Sequence, residues 1–394
     1  MPWKSRSPVD LRKELMERLG RKERVSDLSR EYGVSRKTVN KFKKRFEQLG
    51  LAGLEDRSRA PKVIPHKTPL EVEEVIVAER RQHPTWGPKK LKATLERRLQ
   101  RPFPSAAAIG SILARHGLVQ SRRKRQRYEP HPTMLREATG PNDVWCIDYK
   151  GQFRLGDGTY CYPLTITDQF SRYILACEGM SAISDDAARE ACAEVFRVHG
   201  LPDVMRSDNG VPFASTGLAG LTKLSAFWLR LQIVLERIRP AHPEENGQHE
   251  RMHRTLKFET ARPARQNLLQ QQERFDEFVE EFNHERPHEA LAMSRPADVY
   301  RSSTRPLPDK LPELDYPTHD DVLRVNAGGQ IYIPGIGQIA LSSALARQHV
   351  GVRETRDGRW LISFANLDLG HVGPGRANNT VAPLSSSTAT PTGK

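Results

Sequence analysis

Three acidic residues, Asp148, Asp208 and Glu250, stand apart from the other carboxylates of the chain by where the sequence puts them. Asp148 lies inside the apolar run Val144-Trp145-Cys146-Ile147-Asp148-Tyr149. Burying an unpaired carboxylate there is costly, and a cation would remove that cost. Asp208 falls at a predicted strand end in Arg206-Ser207-Asp208-Asn209-Gly210, where the Asn-Gly pair makes a tight turn that exposes the side chain. Glu250 follows His242-Pro243-Glu244-Glu245-Asn246-Gly247, in the first turn of a predicted helix that carries His253 and Lys257 along one face. Taken singly, each acid reads as a surface residue or a cap. The case for chemistry rests on the set, because each sits where a sheet edge or a helix start presents it.

The elements around these acids follow from periodicity. VWCIDYKGQFRL alternates like a strand, GDG is a turn signal, and YCYPLTITDQFSRYILACE supplies two more β-rich runs split near Asp168, so three antiparallel strands are expected. Asp185 to His199 reads as an amphipathic helix, Asp203 to Arg206 as a short strand, and Leu218 to Leu231 as a second helix. Ile233 to Ile238 is a further strand and Gln248 to Arg262 a further helix. Antiparallel strands followed by alternating strands and helices imply a mixed α/β sheet. Downstream, NLLQQQERFDEFVEEFNHERPHEAL is helical up to Pro287. The stretch from Asp321 to Leu369 is β-rich, with turns at Gly328-Gly329 and Asp357-Gly358, and suggests a small barrel or sandwich. The closing ANNTVAPLSSSTATPTGK is too poor in apolar residues to build a core and is expected to be disordered.

Charge separates the N-terminal third from the rest. Of the 62 Lys and Arg and 48 Asp and Glu, 34 and 15 respectively fall at or before Arg136, leaving 28 against 33 for the remainder. A basic excess of this kind attracts polyanions, nucleic acid first among them. Within it, VSDLSREYGVSRKTVNKFKKRFEQL predicts two short helices broken at Gly33, with Ser35 capping the second. Leu28, Tyr32, Val34, Val39 and Phe42 form the expected small core, and Arg36, Lys37, Asn40, Lys41 and Lys44 face outward from the second helix, the one that enters the major groove in a helix-turn-helix. A second such unit follows a Pro-containing linker, in WGPKKLKATLERRL and SAAAIGSILARHGL with Ser105 as cap. The run SRRKRQR, with Arg122, Arg123, Lys124 and Arg125, ends it as a solvated linker or a phosphate grip.

The motifs VWCIDYK, RSDNGVPF, HPEENGQHERMHRTLK and FNHERPHEAL, in that order, resemble the retroviral-integrase-like catalytic core of bacterial insertion-sequence DDE transposases from about Asn142 to Tyr300. The helix-turn-helix N-terminus and small β C-terminus also look like that family's layout. The resemblance implies an RNase H-like core in which Asp148, Asp208 and Glu250 are the catalytic and metal-holding acids. It implies two divalent ions, normally Mg²⁺ with Mn²⁺ able to stand in, held by hard oxygen ligands. Family spacing between the second Asp and the Glu is often about 35 residues, which lands on Glu244. The Asn-Gly turn and the helix that follows it favour Glu250. His253, Asn246 and Lys257 are read as supporting or DNA-contacting residues, Lys257 among the latter.

The implied function is transposition on double-stranded DNA, with strand cleavage at element ends and strand transfer into target by a homo-oligomer of at least two copies. A DNA-binding regulator derived from a transposase and a stand-alone RNase H-like nuclease are the rivals. Domain limits are expected at 1–60, 66–127, 138–302 and 318–369, with a disordered tail at 370–394. The four cysteines are widely spaced without a CxxC pair and none precedes Asn142, so no structural zinc is expected. With no run of about 18 apolar residues and no leader-like start, a cytoplasmic, nucleoid-associated protein without a membrane partner is expected.

Overall fold

The computed structural model describes residues 7–57, 68–119, 135–239, 242–373 and 381–382. They belong to two compact units, Met1–Pro69 and Leu70–Lys394. The first unit holds α1 (Pro8–Gly20), α2 (Val25–Glu31) and α3 (Arg36–Leu49). The expected two-helix turn is present: Gly33 takes the left-handed φ of +63° that glycine tolerates, and Ser35 Oγ accepts the Thr38 amide to cap α3. Helix α1 is an addition to the reading above. It opens on a reciprocal capping box between Ser7 and Asp10 with Pro8 in its first turn, and supplies Leu15 and Met16 to a core with Leu28, Val39, Phe42 and Leu54.

The second unit begins with α4 (Leu70–Gln82), α5 (Pro88–Leu99) and α6 (Ala106–Arg115), closed around Ile76, Trp86, Leu91, Leu95, Ile109 and Leu113. Ser105 caps α6 by accepting the Ala108 amide. The strands and helices of the central layer follow: β1 (Val144–Tyr149), β2 (Phe153–Arg154), β3 (Tyr160–Asp168), β4 (Ile174–Met180), α7 (Asp185–His199), β5 (Val204–Ser207), α8 (Lys223–Arg230), β6 (Val234–Arg237), α9 (Gly247–Thr260) and α10 (Leu268–Glu280). Strand β3 pairs antiparallel with β1, β2 and β4, and β1, β5 and β6 run parallel, which is the expected mixed sheet. The helix expected from Leu218 starts only at Lys223. Gly220 sits at φ +65°, and Thr222 caps α8 by accepting the Ser225 amide.

Helices cover both faces of the sheet. Trp145, Ile147, Leu164 and Ile166 point to α7 and α8, where Cys192, Phe196, Leu224 and Trp228 meet them. Side chains alternate along a strand, so Cys146 and Asp148 point the other way, toward α9. On that second face Cys161, Cys177, Met252, Leu256, Phe275 and Phe278 pack together. The three helices α4 to α6 rest on this side through polar contacts: Thr85 Oγ1 donates to Glu259 at 2.6 Å and Lys89 pairs with Glu289 at 2.9 Å. After α10, a π-turn over Glu281–Glu285 ends ahead of Pro287, and α11 (Pro296–Val299) closes the region.

The C-terminal strands are β7 (Asp321–Arg324), β8 (Gln330–Ile333), β9 (Gly337–Ala340), β10 (His349–Glu354), β11 (Trp360–Phe364) and β12 (Leu367–Val372). They form an open sheet in the order β12-β11-β10-β7 and a separate β8-β9 hairpin, not the expected closed barrel. Closure would need β12 to pair with β7, yet His371 of β12 exchanges both backbone hydrogen bonds with Ala382. The hairpin folds over Ile331, Ile333 and Ile339 into a core shared with Leu221, Ala226 and Leu229 of the central layer. β12 also runs past the tail boundary expected at 370; residues 374–380 and 383–394 lie outside the described residues.

Candidate functional site

Strand register brings the first two acids together. β1 and β5 pair Val144 with Val204, Trp145 with Met205 and Cys146 with Arg206. Continued by two residues, that register sets Asp208 beside Asp148 on neighbouring strands about 4.8 Å apart. The turn after β5 behaves as its Asn-Gly sequence predicts: the Gly210 amide donates to Asp208 Oδ1 at 3.0 Å, and Asn209 Nδ2 donates to the Ile238 carbonyl at 2.6 Å, tying the turn to the end of β6. Glu250 is exposed in the first turn of α9, the helix laid over the face that Asp148 points to.

Electrostatics register the same proximity. The Asp148 carboxyl is pushed up to about 7, first by burial, then by the charge of Asp208, with Glu250 adding to it. Asp148 senses the charge of both other acids, and carboxylate oxygens are the ligand type that hard divalent cations take; among the described residues the three acids do not form a group whose ligand atoms all lie within 4.8 Å of one another. Among the described residues neither Asp208 nor Glu250 has an ion-pair partner, and the positive charge of Lys150 offsets part of the repulsion at Asp148.

A second arrangement shares Asp148. One ligand-type atom from each of Asp148, His249 and His253 lies within 4.8 Å of the others. Both ring nitrogens of His249 are engaged, however, with Thr167 Oγ1 at 2.8 Å and Thr165 Oγ1 at 2.8 Å, so this histidine would have to give up a hydrogen bond to coordinate an ion. His253 places Nε2 2.6 Å from Thr165 Oγ1 and Nδ1 3.6 Å from Asp148 Oδ2. Burial, with the charge of Lys150, holds His249 down to about 3 and His253 well below the usual imidazole range, which favours the neutral ring in each.

The basic residues fall in separate places. Arg36, Lys37, Asn40, Lys41 and Lys44 are all exposed on α3, as read from the sequence. Lys257 is exposed two turns beyond Glu250 and lines a shallow cavity with Lys150, Gln152, Phe153 and Leu256. Arg122, Arg123, Lys124 and Arg125 lie outside the described residues, as does the side chain of Glu244. Sequence reasoning passed over His249, Thr165, Thr167 and Lys150. The i, i+4 spacing of His249 and His253, which stacks two side chains on one helical face, was the signal that could have found the first.

Residues 138–243 and 231–296 match the integrase core domain family, residues 11–62 a helix-turn-helix domain family, and residues 38–113 a homeodomain-like domain family. The chain is 31% identical over 117 residues, 30% of its length, to the Gag-Pol polyprotein of baboon endogenous virus (strain M7), and spans 6% of that polyprotein. It is 26% identical over 232 residues to the insertion element IS407 uncharacterized 31.7 kDa protein of Burkholderia multivorans, covering 57% of this chain and 77% of that one. The HTLV-2 integrase catalytic core domain, solved in complex with magnesium, aligns with 42% of this chain and all of its own at 14% identity and a TM-score of 0.34, too distant to bear on function. The chain thus combines helix-turn-helix domain matches with integrase core domain matches, and is similar to both an insertion-element protein and retroviral polyproteins.

Proposed function

We propose that the chain catalyses metal-assisted phosphoryl transfer on DNA, cleaving a strand at each element end and joining the freed 3′ hydroxyl to target DNA. Asp148, Asp208 and Glu250 are the residues that hold the divalent ions, Mg²⁺ in the cell with Mn²⁺ able to replace it. The single observation that supports this reading is the parallel β1–β5 register, which continued by two residues sets Asp148 beside Asp208, with Glu250 on the helix over that face. Bound there, two ions would activate the attacking oxygen and stabilise the leaving one in an in-line displacement.

The protein's own contribution is placement. Asp148 is rigid because its strand is buried between layers, Asp208 because its turn is hydrogen-bonded at both ends, and Glu250 because α9 is packed on Met252 and Leu256. The exposed α3 residues Arg36, Lys37, Asn40, Lys41 and Lys44 read the element end, Lys257 grips phosphate on the helix that carries Glu250, and the basic run Arg122 to Arg125 is a further phosphate grip. Working on two ends at once requires at least a dimer, and the bacterial cytoplasm, on the nucleoid, is where such DNA is met. The limits that go with this reading are 1–60, 66–127, 138–302 and 318–369.

The test is a strand-transfer assay on oligonucleotides carrying the element ends, in Mg²⁺, with Asp148→Asn, Asp208→Asn, Glu250→Gln and Glu244→Gln proteins. The first three lose cleavage and joining while still binding DNA, and Glu244→Gln retains both. Full activity in Glu250→Gln overturns that assignment, and end binding without any nicking by the parent protein favours the DNA-binding-only rival.

A further inference from the structure

Asp148 lies at the end of a row of buried polar side chains that an apolar interface between α9 and the sheet would not need. Thr165 faces Asp148 across the β1–β3 pairing, and Thr165, His249 and His253 are each no more than 2% exposed, Thr167 6%. Each neutral imidazole has one N–H and one lone pair, and each hydroxyl has one proton to give. One direction runs unbroken to Asp148: Thr167 Oγ1–H donates to His249 Nδ1, His249 Nε2–H to Thr165 Oγ1, and Thr165 Oγ1–H to His253 Nε2. His253 Nδ1–H then points at Asp148 Oδ2. In the other direction Thr165 donates to the Asp148 carbonyl, 3.2 Å away, and receives both Nε2–H groups. With Asp148 ionised, as a metal ligand must be, that leaves a bare His253 lone pair against a carboxylate oxygen, which repels it.

We propose that His253 is a positioning residue for Asp148, and that the relay from Thr167 through His249 and Thr165 orients it so that one carboxylate oxygen is held and the other is presented to the divalent ions. The inference rests on the reading of Asp148 as a metal ligand. The 3.6 Å approach of His253 to Asp148 is longer than a hydrogen bond and is of the kind that tightens when the reacting complex forms. Because Glu250 is one helical turn before His253, the same anchor on Thr165 sets the height of Glu250 above the two aspartates. Outer partners of this sort orient a metal's carboxylate ligands and commonly change affinity by about 10- to 100-fold when removed.

The experiment is Mn²⁺ titration of the full-length protein followed by electron paramagnetic resonance, with circular dichroism to establish that each variant is folded. Thr165→Val keeps the shape and removes the relay's hydroxyl; it and His253→Gln should weaken Mn²⁺ binding by about 10-fold or more. Thr165→Ser restores binding to near the parent value. His253→Asn, whose amide can stand where Nδ1–H stood, falls between. Wild-type affinity in both Thr165→Val and His253→Gln, with binding lost in Asp148→Asn, overturns the relay and leaves the carboxylate seat standing. Tighter binding in Thr165→Val together with loss in His249→Gln also overturns it, since the histidines would then be ligands themselves. Undiminished binding in Asp148→Asn overturns the seat as well.

Discussion

Replacing Asp148 by Asn should stabilise the metal-free protein while removing its response to divalent ions. The folded protein holds the Asp148 proton more tightly than the unfolded chain does, because ionisation places a charge in a largely buried position beside Asp208 and Glu250. Carrying the carboxyl from its ordinary 3.8 to about 7 corresponds to at most about 4 kcal/mol. Its sign is set by linkage: stability from this group is complete below about pH 4, where both states are protonated, and is lost as pH rises to about 7. The Asp148→Asn protein carries no such dependence. Thermal unfolding in EDTA, followed by circular dichroism from pH 4 to pH 8, should therefore give coincident midpoints at the acid end and a gap of several degrees in favour of Asp148→Asn at pH 8. Adding Mn²⁺ should raise the midpoint of the parent protein and leave the variant where it was. A gap independent of pH, or a variant less stable than the parent at pH 8, would refute the electrostatic reasoning.

Other consequences follow from individual contacts. Phe275, fully buried with its ring edge-on to Phe153, anchors α10 beneath the sheet, and Phe275→Ala should cost about 3–5 kcal/mol in denaturant titration. Arg206 is 2% exposed and meets Glu236 at 2.6 Å between β5 and β6. Glu236→Ala leaves that guanidinium without its carboxylate, with the Arg136 carbonyl still accepting from it, and should cost about 3 kcal/mol by the same measurement. Lys41→Ala, on the exposed face of α3, should weaken DNA binding without regard to sequence and lower the salt-dependence slope by about one, as read from fluorescence anisotropy at several salt concentrations.

Local signals carried much of the architecture. The apolar run around Asp148, the Asn-Gly turn after β5 and the Ser35 and Ser105 caps each depend on neighbours within a few residues, and each element forms where its pattern says. What escaped depends on partners far along the chain. The relay joins Thr165 to His249 and His253, more than 80 residues away in sequence, and only the strand pairing puts Thr165 opposite Asp148. The fate of the last strands was equally non-local: whether β12 closes on β7 or pairs with Ala382 is decided by which edge is occupied, and alternation alone cannot say. Helix α1 was within reach, since Ser7, Pro8 and Asp10 are a helix start. Its dense charge pattern hid the two residues, Leu15 and Met16, that it buries.

The most direct measurement is an anomalous-difference map from crystals of the full-length protein soaked in Mn²⁺. The account predicts density bounded by the carboxylates of Asp148, Asp208 and Glu250, with His253 on the outer side of Asp148 and not ligating. Density centred among Asp148, His249 and His253, or none beside Asp208 and Glu250, would contradict it.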